Sequence, residues 1–236
     1  MTSQRTCILG FLISEEGLSP GAIPPIWPGS IVNPATYDFP ITIIMETVMG
    51  AWSDIVIRGD PSLEPACIAA AKRLVERGAI AISADCGFFI RHQAAVAAAV
   101  NVPVAMSSLL LVPTLLGQLP RAAKLAVVTA DSSHCGEDLL GVGDPADRAR
   151  VVIDGVEGGE FLRKALMRPP IPTDVADIET EIAACVTRLR AAHPEIAALL
   201  FECTGFPCVT PAIRRGTGLP IYDIRGLLRL TLASLS

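Results

Sequence analysis

The sequence predicts an α/β protein made of two pseudo-symmetric α/β domains, each a central, mostly parallel four-stranded sheet flanked by helices. Three observations carry this expectation. Apolar strand-like runs alternate with amphipathic helix-like stretches along the chain, the pattern of parallel sheets joined by right-handed crossovers. The 236 residues are 51% hydrophobic but only 5% aromatic, so the core must be Ala, Val, Ile and Leu, which suits strands covered on both faces. Finally, one pattern occurs twice. Ala79-Ile80-Ala81-Ile82-Ser83-Ala84-Asp85-Cys86-Gly87-Phe88 is an apolar run that stops at an acid, a cysteine and a small residue. Ile196-Ala197-Ala198-Leu199-Leu200-Phe201-Glu202-Cys203-Thr204-Gly205-Phe206 does the same, and the two cysteines lie 117 residues apart. Val102-Pro103-Val104 and Leu219-Pro220-Ile221 keep this interval, as do Cys7–Phe11 and Lys124–Val128, and Arg73 and Arg190. A fixed period of this size indicates a duplicated unit.

The elements follow in order. Residues 6–13 open the first unit as a strand. Residues 14–40 form a long loop with six prolines, Trp27 and Tyr37, and loops of this length usually serve as lids or binding loops. Residues 41–45 read as a second strand. Pro61-Ser62-Leu63-Glu64 starts a helix that runs to Arg77 and stops at Gly78. The strand ending at Cys86, a helix near 91–99, a strand at 102–106 and a helix near 108–117 come next. The second unit repeats the order with a strand at 124–130, an N-cap signal at Asp131-Ser132-Ser133 and a turn at 141–145. A strand at 149–153 precedes a helix at 174–192, whose buried face is Ile178, Ile182, Cys185, Val186 and Leu189. The strand ending at Cys203, a helix near 209–215, a strand at 219–222 and a helix near 224–234 complete it. The expected domains are 1–107 with 224–236, and 108–223.

Composition narrows the function. A net charge of −5 without a basic run argues against nucleic acid or an anionic membrane as partner. The longest apolar run, 104–116, is shorter than the ~20 residues of a membrane span. The N-terminus lacks a secretory pattern, so the expected location is cytoplasmic. Seven cysteines, an odd number, then read as reduced thiols. His134, Cys135, Cys203 and Cys208 match no zinc spacing, and no phosphate-binding glycine loop is present, so no metal or cofactor is expected.

Each copy places a thiol at the carboxyl end of a strand, where parallel α/β sheets bind ligands. Inverting a carbon centre without a cofactor requires a base on one face and an acid on the other, both titrating near the working pH. A thiol has a pKa of ~8.5 that nearby donors lower. Cys86 and Cys203 are therefore the candidate acid/base pair. Gly87, Phe88, Thr204 and Gly205 are the candidate amide donors for a substrate carboxylate and for the enolate-like charge that develops. Ser14, Thr129, Asp131 and Ser132, at the ends of the first strands of the two copies, are candidate headgroup ligands. Helix capping is the alternative role for Ser132 and Ser133. Asp85 and Glu202 adjoin the cysteines, but neighbouring strand residues face opposite sides, so they are expected to support the loops. A single cysteine in an apolar setting is usually packed core; the matched spacing argues otherwise here.

Asp85-Cys86-Gly87-Phe88 and Glu202-Cys203-Thr204-Gly205 resemble the cysteine motifs of the aspartate/glutamate racemase superfamily. That superfamily includes amino-acid and hydantoin racemases, maleate cis–trans isomerase and arylmalonate decarboxylase. The resemblance covers nearly the whole chain. It implies an active site in the cleft between two similar α/β domains, a last helix crossing back onto the first domain, two catalytic thiols and a homo-oligomer. The implied activity is a cofactor-independent racemase or epimerase acting beside a carboxylate or carbonyl, its substrate a small carboxylate or cyclic amide. Many such racemases carry Cys-Asn-Thr at the first thiol. Cys86-Gly87-Phe88 departs from that and points to a less polar acid or a ring. The decarboxylase branch keeps only the second-half cysteine, so two thiols favour racemisation or isomerisation. A maleate-type cis–trans isomerase or an arylmalonate-type decarboxylase on the same scaffold, and a binding protein with inert cysteines, are the alternatives. The apolar residues Ile23, Ile26, Trp27 and Ile31 of the long loop suggest an apolar substrate side group.

Overall fold

A computed structural model describes residues 7–17, 26 and 29–235. The chain divides into two compact units, Met1–Ser107 with Arg225–Ser236, and Ser108–Ile224.

The first unit contains β1 (Cys7–Ile13), β2 (Ile41–Thr47), α1 (Ser53–Arg58), α2 (Glu64–Glu76), β3 (Ala81–Ala84) and α3 (Gln93–Ala99). Its parallel sheet has the order β2-β1-β3. β1 is the central strand, and Leu9, Phe11 and Leu12 on it are fully buried. α2 buries Cys67, Ala70, Ala71 and Leu74, the 3.6-residue stripe of a helix laid on a sheet. Gly10 permits that approach, because a Cβ there would sit 3.1 Å from side-chain carbons of both Leu74 and Ala79. α2 ends as expected: Gly78, at φ 92°, donates its N–H to Val75 O. Gly78→Ala should cost roughly 1–2 kcal/mol, because an L-residue is strained at positive φ. Urea unfolding at equilibrium measures that loss.

The second unit contains α4 (Val112–Gln118), β4 (Lys124–Thr129), α5 (Pro145–Arg148), β5 (Val151–Gly155), α6 (Glu160–Ala165), α7 (Val175–Ala192), β6 (Ile196–Phe201), α8 (Thr210–Thr217) and β7 (Ile221–Tyr222). Its sheet is parallel in the order β5-β4-β6-β7. α7 buries Ile178, Ile182, Cys185, Val186 and Leu189, the stripe read from the sequence. The last helix, α9 (Ile224–Ala233), is grouped from Arg225 onward with the first unit, where Arg229 pairs with Asp38 at 2.6 Å.

Four expectations need correction. Among the described residues the first sheet has three strands, and the strand expected at 102–106 is a single bridge between Ile82 and Val104. Ala105 O, the carbonyl that the next rung toward β3 would use, accepts instead from the Ser83 hydroxyl at 2.8 Å, while Gln93 holds Val104 O and Met106 N on the opposite edge. The second correction concerns Asp131, which caps no α-helix; its carboxylate closes a turn by accepting from Ser133 N at 3.0 Å. Third, the strand expected at 149–153 lies at Val151–Gly155, because Asp144 caps the short α5 just before it.

The fourth concerns the register of the repeat. Leu9 pairs with Ala81 in the first unit, and Leu125 pairs with Ala198 in the second. An irregularity between Lys124 and Leu125 shifts β4 by one residue against β6. The third strands and the cysteine turns after them keep the interval of 117, while the first strands beyond this point are offset by 116. Ile13 is thus the counterpart of Thr129, and Ser14 that of Ala130.

In the long loop, Pro34–Thr36 forms a 3-10 turn, Ile31 is buried, and the Tyr37 hydroxyl donates to Ile31 O at 2.7 Å. Ile26 is exposed. Ile23 and Trp27 lie outside the described residues. Among the described residues, no helix is long and apolar enough to cross a membrane.

Candidate functional site

Both cysteine turns are built the same way within their own units. In the first, Asp85 N donates to Leu12 O at 3.0 Å, which carries the end of β3 alongside β1. Cys86 comes next in extended conformation (φ −134°, ψ 130°) and opens a 3-10 helix, Gly87–His92. Phe89 N then donates to Cys86 O at 3.2 Å. In the second unit, Glu202 N donates to Val128 O at 2.9 Å, and Phe206 N donates to Cys203 O at 3.2 Å. Phe89 and Phe206 are both fully buried and stand at the same interval as the cysteines. Each thiol therefore lies on a tight Cys-x-x-Phe turn held by a backbone bond before it and an aromatic anchor behind it. Neither phenylalanine was among the expected site residues, although the shared interval marks both.

Cys86 and Cys203 are both half-buried. Cys67 and Cys185 differ: burial pushes each thiol up to about 12, which leaves them inert and structural. Cys135 is also buried. Cys208 donates to Gly205 O at 3.2 Å and belongs to the Cys203 turn.

The acids before the cysteines, Asp85 half-buried and Glu202 buried, accept hydrogen bonds. The Asp85 carboxylate accepts from Ser14 N at 2.8 Å and from Ser14 Oγ at 3.0 Å. Burial nevertheless raises its pKa to about 7; the two Ser14 bonds pull against that shift and nearby Glu16 adds to it. Glu202, 1% exposed, accepts from Thr129 Oγ1 at 2.8 Å.

The candidate headgroup ligands are engaged within the protein. Ser14 and Thr129 hold Asp85 and Glu202. Asp131 bonds Ser133 and His134, and Ser132 donates both its N–H and its hydroxyl to Glu157. The Phe88 ring is 1% exposed and packs in the core. Gly87 and Thr204 are buried on the turns themselves. Gly205 leaves room for Phe161, whose Cζ would lie 2.9 Å from a Cβ at that position. Among the described residues, no three His, Cys, Asp or Glu side chains gather as a metal site.

A half-buried thiol on a tight turn, at the carboxyl end of a parallel strand and next to small residues, can exchange a proton with a bound carbon acid. No family profile matches the chain. Among curated proteins it is 30% identical over 203 residues to a dimethylsulfoniopropionate lyase of Durusdinium sp. clade D, covering 83% of this chain and 66% of that protein. It is 31% identical over 174 residues to dimethylsulfoniopropionate lyase 3 of Emiliania huxleyi, covering 69% and 44%. The chain thus spans only part of the length of these relatives. Among solved structures, glutamate racemase from Francisella tularensis with D-glutamate superposes with a TM-score of 0.55 at 16% identity, covering 97% of this chain and 82% of that one. A mutant of arylmalonate decarboxylase in a sulfate-associated form gives 0.55 at 18% identity, covering 91% and 87%.

Proposed function

From a chain that carries the fold of the aspartate/glutamate racemase superfamily, we propose a cofactor-independent enzyme that removes a proton next to a carboxylate by cysteine chemistry and then expels a β-leaving group. The observation that carries the elimination is the identity of about 30% to proteins named dimethylsulfoniopropionate lyases. It outweighs the lower identities to racemases of the same fold.

In this reading a thiolate takes the α-proton of dimethylsulfoniopropionate. The electron pair of the C–H bond forms the C=C bond, and the β-carbon–sulfur bond breaks with its pair remaining on sulfur. The products are acrylate and neutral dimethyl sulfide, and the thiol resets by releasing its proton to water. Backbone N–H groups of the turn that carries the thiolate, those of Gly87 and Phe88 or those of Thr204 and Gly205, stabilise the charge that grows on the carboxylate. A zwitterion has no net charge for the chain's own −5 to repel. The test is incubation with dimethylsulfoniopropionate in deuterated water, with dimethyl sulfide read by headspace gas chromatography and acrylate by NMR. Stoichiometric release of both is expected; substrate recovered intact and undeuterated overturns the proposal.

Racemisation is the second reading, favoured by the presence of a cysteine in both copies of the motif. It predicts α-deuteration of amino acids, hydantoins or related acids without release of any fragment.

A further inference from the structure

Each cysteine is preceded by an acid, Asp85 half-buried and Glu202 buried, whose carboxylate is tied by a hydroxyl to the end of its unit's central strand. The two ties use residues that are not counterparts. In the first unit the acid is Asp85 and the hydroxyl belongs to Ser14, just beyond β1. In the second the acid is Glu202, one methylene longer, and the hydroxyl belongs to Thr129, the last residue of β4 and the counterpart of Ile13. A longer acid meets a hydroxyl set one residue earlier, so the same bond is rebuilt from different parts. Burying a carboxylate is costly unless it is hydrogen-bonded, and an apolar residue would fill either position at lower cost. A packing role does not explain why both units retain an acid at the residue before the thiol.

We infer that Asp85 and Glu202, with Ser14 and Thr129, are positioning residues that fix the orientation of the Cys86 and Cys203 turns. The inference rests on the proposed cysteine chemistry. Each acid is held from two sides: its N–H bonds the central strand's carbonyl, and its carboxylate receives that strand's hydroxyl. The peptide that enters the cysteine cannot rotate without breaking one of them. Removing the hydroxyl leaves the backbone bond and the fold in place but frees the side chain that sets the rotation.

The experiment uses Ser14→Ala and Thr129→Val, with Asp85→Asn as the conservative variant. The side-chain amide of Asp85→Asn can still accept from Ser14 N and donate to Ser14 Oγ. Two readouts are taken: kcat and KM for dimethyl sulfide release, and the rate of iodoacetamide alkylation at Cys86 and Cys203 read by mass spectrometry. Ser14→Ala should change Cys86 alkylation at least threefold and leave Cys203 unaltered, and Thr129→Val should do the reverse. For the variant whose thiol is the base, kcat should fall about tenfold with KM within twofold. Asp85→Asn should keep wild-type alkylation at Cys86 to within twofold. Wild-type alkylation in both hydroxyl variants, or equal change at both cysteines, overturns the inference. The alkylation readout needs no substrate, so a failed lyase assay overturns the proposed function while the positioning role is still decided.

Discussion

Cys203→Ser should lower dimethyl sulfide release by about 10²–10⁴-fold, the span that a positioned general base contributes. Serine keeps the shape of the side chain and the Cys203–Phe206 turn bond, which uses only backbone atoms. It removes the one property that matters: a thiol with a pKa of ~8.5 yields a usable base near neutral pH, and a hydroxyl does not. The two cysteines should not behave alike. Elimination expels a neutral sulfide that requires no proton, so one thiol suffices and the other has no proton to deliver. In the reading proposed above, Cys203 is taken as that base. Cys86→Ser should then lose less than about tenfold, because it leaves the proton transfer intact. Steady-state rates with both variants, checked for folding by circular dichroism, decide the matter. Comparable losses above 10²-fold in both, accompanied by α-deuteration of the substrate, would show two-thiol chemistry and favour racemisation. Near-wild-type rates in both would make the thiols bystanders.

The sequence disclosed the repeat and the helices because both leave linear marks. A stripe such as Ile178, Ile182, Cys185, Val186 and Leu189 can point only one way on a helix, and the structure buries all five. The third strand of each unit and its thiol were equally legible, since an apolar run ending in acid and cysteine recurs at one interval. Less legible were features set by pairing between distant segments. The one-residue shift at Lys124/Leu125 arises from how β4 lies against β6, and nothing local to β4 announces it. That shift moved the apparent partner of Ser14 and hid the ties from Ser14 to Asp85 and from Thr129 to Glu202, across 71 and 73 residues. The missing fourth strand of the first unit has a similar cause. Val102-Pro103-Val104 has strand composition, but the Ser83 hydroxyl, 22 residues away, takes Ala105 O, the carbonyl of the next rung. Ser14 and Thr129 stand at the strand ends expected of headgroup ligands, yet each holds an acid of its own unit. A hydroxyl at the carboxyl end of a strand can serve a substrate or a buried acid, and only the fold shows which acid is within reach.

Phe206→Ala should be the most damaging core substitution tested at the second cysteine turn, costing about 3–5 kcal/mol, the range for truncating a buried aromatic to alanine. Phe206 is fully buried, meets Phe201 edge-to-face with centroids 5.9 Å apart, and packs tilted on Phe161 at 5.2 Å. Such pairs add ~0.5–1.5 kcal/mol beyond the area they bury. Phe201 ends β6 and Phe161 lies on α6, so the ring joins strand, helix and cysteine turn into one packed group. Its backbone N–H also closes the turn on Cys203 O, and that bond survives in alanine. The loss therefore comes from the cavity and the missing ring contacts, and Phe206→Leu, which refills part of the volume, should recover at least half of it. Urea titration measures both values. The same variants separate stability from site geometry: at temperatures where Phe206→Ala remains folded, its Cys203 alkylation should quicken as the turn loosens. A cost below about 1 kcal/mol with unchanged alkylation would mean that the turn holds its shape through the Glu202 tie alone, and that the aromatic anchor is dispensable.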